Sequence, residues 1–165
     1  MEGQQYVSFV FLITENFDTR YYHSEGREEN GAVLSMVAGP GFFQYAIFDA
    51  AFTRVTELAH VVPSGEGSLL DPARFVFLLP NYALEEKIFS KVDISLLQPD
   101  FVLLPQAFAR QADAREALTF TAGGEPPAST LSHQLKDVEF SSPLVPELLG
   151  AIERDFNNAA VRHAG

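Results

Sequence analysis

The stretch Ser90–Phe120, SKVDISLLQPDFVLLPQAFARQADAREALTF, decides most of the fold assignment. Within Val92–Leu97 apolar and polar residues alternate, which is the period of two expected for a strand with one wetter face. Gln98–Asp100 then predicts a turn into a second strand at Phe101–Leu104. Pro105 opens a turn or short helix, so the stretch indicates two successive strands followed by helix.

Upstream of this stretch, three strand-like runs follow each other closely. They are Ala32–Ala38, Phe42–Asp49 and Arg54–Val62. The connections between them are too short for helical crossovers, so the three strands are predicted to form an antiparallel meander. Before them, Tyr6–Ile13 predicts a buried strand, and the polar segment Asn16–Gly31 predicts an exposed loop.

The remaining elements are predicted from caps, periodicity and turn residues. Asp71 followed by Pro72 is typical of a helix start, and that helix can run to about Leu79. A second helical piece is predicted after an Asn81 cap, with Leu84 and Ile88 on one face. Further predictions are a helical turn or two at Asp113–Leu118, a linker at Gly123–Pro127, a hairpin of Ser129–Leu135 with Val138–Ser141, and an amphipathic helix at Pro146–Phe156.

This order of elements predicts a mixed α/β fold. A three-strand antiparallel meander followed by helices and further strands is similar to the actin-like or ribonuclease H-like subdomain. We expect an N-terminal strand and polar loop over residues 1–31 and the actin-like subdomain over residues 32–165. A fold class by itself does not determine a function.

Composition limits the function classes. The chain has 165 residues, no cysteine and a formal net charge of −11. A surface this acidic repels phosphate backbones and anionic lipids, so we expect binding to neither nucleic acid nor membranes. The run Tyr6–Ile13 is far shorter than the ~20 residues that span a bilayer, and Glu2 precedes it where a secretory signal carries Lys or Arg. We expect a cytoplasmic protein.

Three segments together resemble an uncharacterised bacterial family, domain of unknown function 3822. They are FFQYAIFD from Phe42, the Ser90–Phe120 stretch, and VEFSSPLVPELLGAIERDF from Val138. Within the second, Val102–Pro105 with Phe108 stands where the family has a hydrophobic pattern ending in phenylalanine. The likeness covers roughly residues 17–165. It implies kinship with the actin-like ATPases and, more distantly, with the actin homologues of pilus assembly.

The chain departs from that family pattern in two ways. Members that resemble it are usually longer, so the chain resembles only an N-terminal half, truncated at its C-terminal end. Actin-like ATPases also hold phosphate and Mg²⁺ with an Asp-x-Gly turn after the first strand. The matching turn here is Gly39-Pro40-Gly41, which has neither carboxylate nor hydroxyl, and proline has no N–H for a phosphate. Gly39 and Gly41 therefore favour a hairpin interpretation.

Other candidate groups do not form a recognisable reactive site. The histidines His23, His60, His133 and His163 lack metal-ligand spacing, and the adjacent pairs Glu28-Glu29 and Glu85-Glu86 point in different directions. Asp49 closes a strand, where an aspartate usually caps the following turn. We expect no catalytic, cofactor-binding or metal-binding residue, and therefore no cofactor.

Two functions remain open. The first is a non-catalytic module that binds an unknown protein partner or a second copy, with Phe42, Phe43, Phe101 and Phe108 as candidate contact residues. The second is an actin-like ATPase with a variant phosphate loop, which would need ATP, Mg²⁺ and a second half. Whether the chain is an enzyme is thus undecided, although the missing Asp-x-Gly turn favours the first function.

Overall fold

The computed structural model of the chain describes residues 7–14, 17–24, 31–64, 67–75, 84, 88–109, 111–156 and 158–163. Two sheets contain all ten described strands. The strands are β1 (Val7–Thr14), β2 (Phe17–Ser24), β3 (Ala32–Gly39), β4 (Phe42–Phe48), β5 (Val55–Pro63), β6 (Phe89–Leu96), β7 (Val102–Pro105), β8 (Ser129–Leu135), β9 (Val138–Leu144) and β10 (Ala159–His163). The helices are α1 (helical residues 72–75), α2 (Gln111–Ala122) and α3 (Pro146–Asp155), with a 3₁₀ turn at Gln106–Phe108.

The large sheet has the strand order β1-β2-β5-β4-β3-β6-β10. Its centre is the antiparallel meander β3-β4-β5, whose turns are too short for any other arrangement. β6 lies parallel to β3 on the other side, and β10 lies parallel to β6 at the edge. The seven-stranded sheet thus consists of five antiparallel strands followed by two parallel ones, and with the helices it forms a mixed α/β fold.

One face of the large sheet forms the hydrophobic core. The inward positions of its strands alternate with partly exposed residues, as a sheet covered on one side requires. α3 packs on this face through Leu148 and Ile152, and Phe156 contacts Phe89 with ring centroids 6.5 Å apart. Phe75, at the end of the described part of α1, meets Phe43 edge to face at 6.0 Å.

The opposite face of the large sheet is less covered. Its residues Ser35, Val37, Ala46 and Leu58 are all partly exposed. Within the described part of the chain, no helix of the core side reaches these positions, because successive residues of a strand point to opposite faces.

The small sheet is inserted between β6 and α3. Its strand order is β7-β9-β8, and both pairs are antiparallel. α2 packs against this sheet and buries Ala114 and Leu118. Gly123 ends α2 with a φ of 68° and donates its N–H to the carbonyl of Thr119, which is the usual glycine end of a helix.

Most predicted elements are confirmed. The meander, β7, the turn after Pro105 and the helix α3 form within one residue of their predicted ends. The strand β6 and the hairpin β8-β9 also form, but β6 starts three residues earlier and β9 ends three residues later than predicted. Asp71 caps α1 as expected, because its Oδ1 accepts the N–H groups of Ala73 and Arg74. The described part of the predicted strand Tyr6–Ile13 belongs to β1 (Val7–Thr14), whose side chains lie outside the described residues.

Two expectations about local structure are wrong. Asn16–Gly31 is not simply a loop, because residues 17–24 form β2, which bonds to β1 on one side and β5 on the other. Thr19 is buried there while the charged Asp18 and Arg20 are exposed, so these two charged residues lie on the open face. The expected loop residues 16 and 25–30 lie outside the described residues.

The other concerns the second helical piece. Leu84 is fully buried but Ile88 is 87% exposed and not helical, so the two do not share a face. The helix expected at Asp113–Leu118 is confirmed and is longer than predicted, over Gln111–Ala122, because residues without strong helix breakers continue it until Gly123. The division of the chain at residue 31 stays a prediction.

Candidate functional site

The first place to look for a ligand site is one edge of the large sheet. In open sheets with parallel strands, ligands bind outside the carboxyl ends of the strands where the strand order reverses. β3 and β6 run parallel and end at Gly39 and Leu96, and β10 ends at His163. The β3-β4 turn, at the position of the phosphate-binding turn in the resemblance, lies at this edge.

This turn is closed by the chain itself. The carbonyl of Pro40 accepts the N–H of Leu69 at 2.9 Å, and the carbonyl of Ala38 accepts the N–H of Leu97 at 2.7 Å. A Cβ added to Gly39 would lie 2.8 Å from the ring of Phe42, so any larger residue there would require the Phe42 side chain to move. Gly39 pairs with Phe42 across the turn, which confirms the hairpin interpretation of the two glycines.

Residues 67–75 cover the β3-β4 turn, and polar groups beside the turn hold this segment in place. The Ser68 hydroxyl accepts the N–H of Leu70 at 3.1 Å, and the guanidinium of Arg74 donates to the carbonyl of Gly67 at 3.0 Å. Asp71 uses its carboxylate to cap α1. Leu69 is fully buried. These contacts make the segment a structural cover over the turn.

The chemistry available at this edge is limited. A hard cation such as Mg²⁺ requires carboxylate or carbonyl oxygens, and the turn residues Gly39-Pro40-Gly41 offer no carboxylate. In the parts of the chain that the structure describes, no group of three His, Asp or Glu side chains is arranged to hold a metal ion. Nor does any helix there have the length and apolar character needed to cross a membrane.

The structure does not bring the sequence candidates together. His60 stacks on Phe42 at 6.1 Å, and His133 is exposed on β8. Asp49 caps the β4-β5 turn as expected: Oδ1 accepts the Thr53 N–H, and the Thr53 hydroxyl donates to Oδ2, both at 2.7 Å. The Thr53 bonds are the main cause that lowers the pKa of Asp49. The side chain of His163 and the pairs Glu28-Glu29 and Glu85-Glu86 lie outside the described residues.

One polar cluster was missed by sequence reasoning. Glu57 of β5 is only 4% exposed and accepts a hydrogen bond of 2.6 Å from the hydroxyl of Tyr45. His23 Nδ1 lies 3.9 Å from its other oxygen. Burial, followed by the charge and hydrogen bond of Glu57, raises the pKa of Tyr21 well above its usual range. The sequence signal that could have identified Glu57 is the alternation along β5. Glu57 lies two residues before Ala59 and four before Val61, and both of these point inward.

The second feature is an apolar surface on the small sheet. Phe101, Leu103 and Phe108 are 46%, 57% and 66% exposed, and we call them the β7 surface. Phe101 stacks on Phe140 of β9 with ring centroids 4.8 Å apart, so its ring lies flat on the sheet. Of the aromatic candidates from the sequence, Phe43 is wrong as a contact residue, because it is fully buried in the core.

A groove lies beside α2 on the same subdomain. Its volume is about 460 Å³, and its lining residues are Arg115, Glu116, Thr119, Phe120 and Pro126. Phe120 is 91% exposed. The groove is open to solvent and contains no arrangement of acid and base that could transfer a proton, so it adds apolar surface to the small sheet.

The strand order of the large sheet, with its antiparallel meander and two parallel strands, is that of the actin-like fold class. A crystal structure of a protein from Bacteroides thetaiotaomicron VPI-5482, with an actin-like ATPase fold and unknown function, is similar to it with a TM-score of 0.63 and 11% sequence identity. The match covers 84% of this chain and 55% of that chain, so this chain spans little more than half of that protein. At such low identity the likeness shows the fold alone.

The chain matches no family model and no curated protein. Its membership in domain of unknown function 3822 therefore stays a prediction.

Proposed function

We propose that the chain is a non-catalytic protein-interaction module built on an actin-like subdomain, and that it belongs to the family called domain of unknown function 3822. The observation that carries this proposal is the β7 surface. Solvent-exposed aromatic and aliphatic side chains that lie together are typical of a protein contact site. Phe101, Leu103 and Phe108 offer such a contact on an otherwise acidic chain.

The β3-β4 turn supports the same proposal. A phosphate-binding turn needs backbone N–H groups that point to the ligand, whereas this turn contains Pro40 and is covered by Leu69. In this proposal residues 32–165 form the working subdomain in the cytoplasm. The contact site accepts a protein partner, or a second copy, and requires neither nucleic acid nor membrane.

The alternative is a nucleotide-binding actin-like ATPase with a variant phosphate loop. The observation in its favour is the similarity to a structure with an actin-like ATPase fold. ATP and Mg²⁺ would then be held between this chain and a second half of the cleft. The alternative therefore requires such a second half in addition to this chain.

Thermal unfolding with and without ATP and Mg²⁺ separates the two. A ligand at a hundred times its dissociation constant adds about 2.7 kcal/mol to the free energy of unfolding. We expect an unchanged melting temperature, both for this chain and for a longer form if the gene extends further. A clear rise in melting temperature that needs both ATP and Mg²⁺ would support the ATPase and contradict the module.

Partner capture tests the contact site directly. Proteins crosslinked to the wild-type chain in its own cells are compared with those crosslinked to Phe108→Asp and to Ile88→Asp. Ile88 is 87% exposed and lies outside the β7 surface, so it is the matched control. We expect the same proteins with the wild type and Ile88→Asp and their loss with Phe108→Asp. Equal recovery with both variants would contradict the proposed contact site.

A further inference from the structure

The outer edge of β7 has backbone groups that its neighbour does not use. β7 is the edge strand of the small sheet and pairs with β9. The N–H of Gln106 donates to the carbonyl of Asp137 at 2.8 Å. Bonded and non-bonded pairs alternate along an antiparallel ladder, so Leu104 and Val102 also bond to β9. The N–H and C=O of Leu103 therefore point away from β9.

Pro105 agrees with this register. It pairs with Val138 at the next non-bonded position, so its missing N–H would also point outward. Proline is tolerated in a sheet at such an outward position of an edge strand. A segment bound along the outer edge can therefore form hydrogen bonds with the N–H and C=O of Leu103 and with the C=O of Pro105. Pro105, at the carboxyl end of β7, supplies no N–H donor.

The side chains along this edge are apolar and accessible. Leu103 is 57% exposed on the strand itself, and Phe101 and Phe108 flank it at 46% and 66%. An extended segment that adds to a sheet edge gains main-chain hydrogen bonds, and its alternate side chains enter contacts beside the strand. β7 therefore offers both the backbone groups and the apolar contacts that such a segment uses.

The charges around the edge favour one kind of occupant. Asp100 precedes the strand and is exposed, and Asp137 and Glu139 lie with Lys136 on the neighbouring hairpin. The helix α2, which packs against β7, adds Glu116 and Arg115, so acids outnumber bases four to two among these residues. The whole chain has a formal net charge of −11. A second copy would bring the same negative charge and be repelled, whereas a segment with Lys or Arg would be attracted.

We propose that β7 binds an extended segment of a different protein, which adds to the small sheet as a fourth strand. The segment has apolar side chains at alternate positions and is flanked by Lys or Arg. This inference rests on the proposed function and names its partner class. The contact is short, so specificity comes from Leu103 and the flanking phenylalanines together with the charges.

A randomised peptide library tests this without a known partner. Twelve-residue peptides displayed on phage are selected against the full chain, and the enriched peptides are synthesised for fluorescence anisotropy. We expect enriched sequences with alternating apolar residues and flanking Lys or Arg. We expect Leu103→Asp to weaken their binding at least tenfold, methylation of alternate peptide backbone amides to do the same, and Ile88→Asp to leave it unchanged.

The outcomes distinguish the inference from the proposed function. If Leu103→Asp weakens peptide binding but methylation of the peptide backbone does not, strand addition is contradicted. The contact site of the proposed function would still be supported. Acidic enriched peptides would overturn the charge argument. Concentration-dependent self-association that Leu103→Asp abolishes would identify a second copy as the occupant and overturn the inference. Failure to enrich any peptide that depends on Leu103 would overturn it as well.

The variant must remain folded for these comparisons. Far-ultraviolet circular dichroism and the melting temperature of Leu103→Asp are measured against the wild type. If that variant unfolds, Leu103→Thr replaces it, because threonine keeps strand propensity while removing most of the apolar contact. A folded Leu103→Thr that binds the enriched peptides as tightly as the wild type would equally overturn the inference.

Discussion

The hydroxyl of Tyr45 donates a hydrogen bond of 2.6 Å to Oε1 of Glu57, and both side chains are buried on the core face of the large sheet. The two residues are diagonal neighbours on β4 and β5, because Tyr45 pairs with Ala59. A carboxyl group in such a place is costly unless donors surround it. The bond therefore links the two central antiparallel strands and compensates part of the burial of Glu57.

Removal of this hydroxyl should destabilise the fold. Tyr45→Phe keeps the ring but leaves the Glu57 carboxyl without this donor, and we expect a loss of about 1–3 kcal/mol in the free energy of unfolding. Urea unfolding measures it. Thr130→Val, which removes the hydroxyl of a partly exposed strand residue of the small sheet, is the control. An equal effect of both substitutions would show that the buried bond has no special weight.

Tyr21 should make the fold sensitive to high pH. Its pKa is raised in the folded state, first by burial and then by Glu57. Its stabilising effect is complete below the unfolded pKa of about 10 and falls as the pH rises above it, because only the unfolded chain then releases the proton. The wild type should lose more stability than Tyr21→Phe between about pH 9 and about pH 11. Parallel losses would refute this assignment.

Two adjacent serines provide a matched pair. Ser141 and Ser142 are both fully buried. The Ser141 hydroxyl lies 2.7 Å from that of Ser132 and donates to Glu139 at 3.1 Å, whereas that of Ser142 has no hydrogen-bond partner among the described residues. We expect Ser141→Ala to cost about 1 kcal/mol and Ser142→Ala to be neutral or stabilising. Urea unfolding measures the free energy of unfolding of both variants. A larger loss for Ser142→Ala than for Ser141→Ala would contradict the prediction.

Asp49 should contribute stability that acid removes. Its pKa is lowered, chiefly by the side-chain and backbone bonds from Thr53. A carboxylate of this kind stabilises the fold above its unfolded pKa and ceases to do so as the pH falls through its lowered folded pKa. We expect Asp49→Ala to lower the melting temperature at neutral pH and much less in strong acid. A loss of melting temperature of the same size at both pH values would contradict this assignment.

Much of the fold was predictable because local signals agreed with it. The alternation in Val92–Leu97, the short turns of the meander and the Asp71-Pro72 helix start each determine a local structure, and each one forms. β2 was missed because its polar residues suggest a loop. The backbone N–H and C=O groups of these residues form hydrogen bonds with strands on both sides. The local sequence contains no signal of such long-range pairing.

The candidate sites were predictable only in part. Asp49 and the two turn glycines have the roles expected from turn chemistry, which is local. Phe43 and Phe101 could not be told apart from sequence, since neighbouring aromatics look alike until the sheet faces are assigned. Glu57 was overlooked because a lone acid in a strand is usually exposed, and its partners Tyr45 and Tyr21 come from two other strands.

β10 joins the large sheet beside β6 only after the chain has completed the entire small sheet. During synthesis the meander can form early, whereas β6 can pair with its parallel neighbour β10 only after the rest of the chain has been made. Pairing between strands that are distant in the sequence is slow. We expect amide hydrogens of the meander to gain protection in refolding before those of β10. Simultaneous protection, or an early β10, in pulsed hydrogen exchange would show that the last strand takes part in nucleation instead.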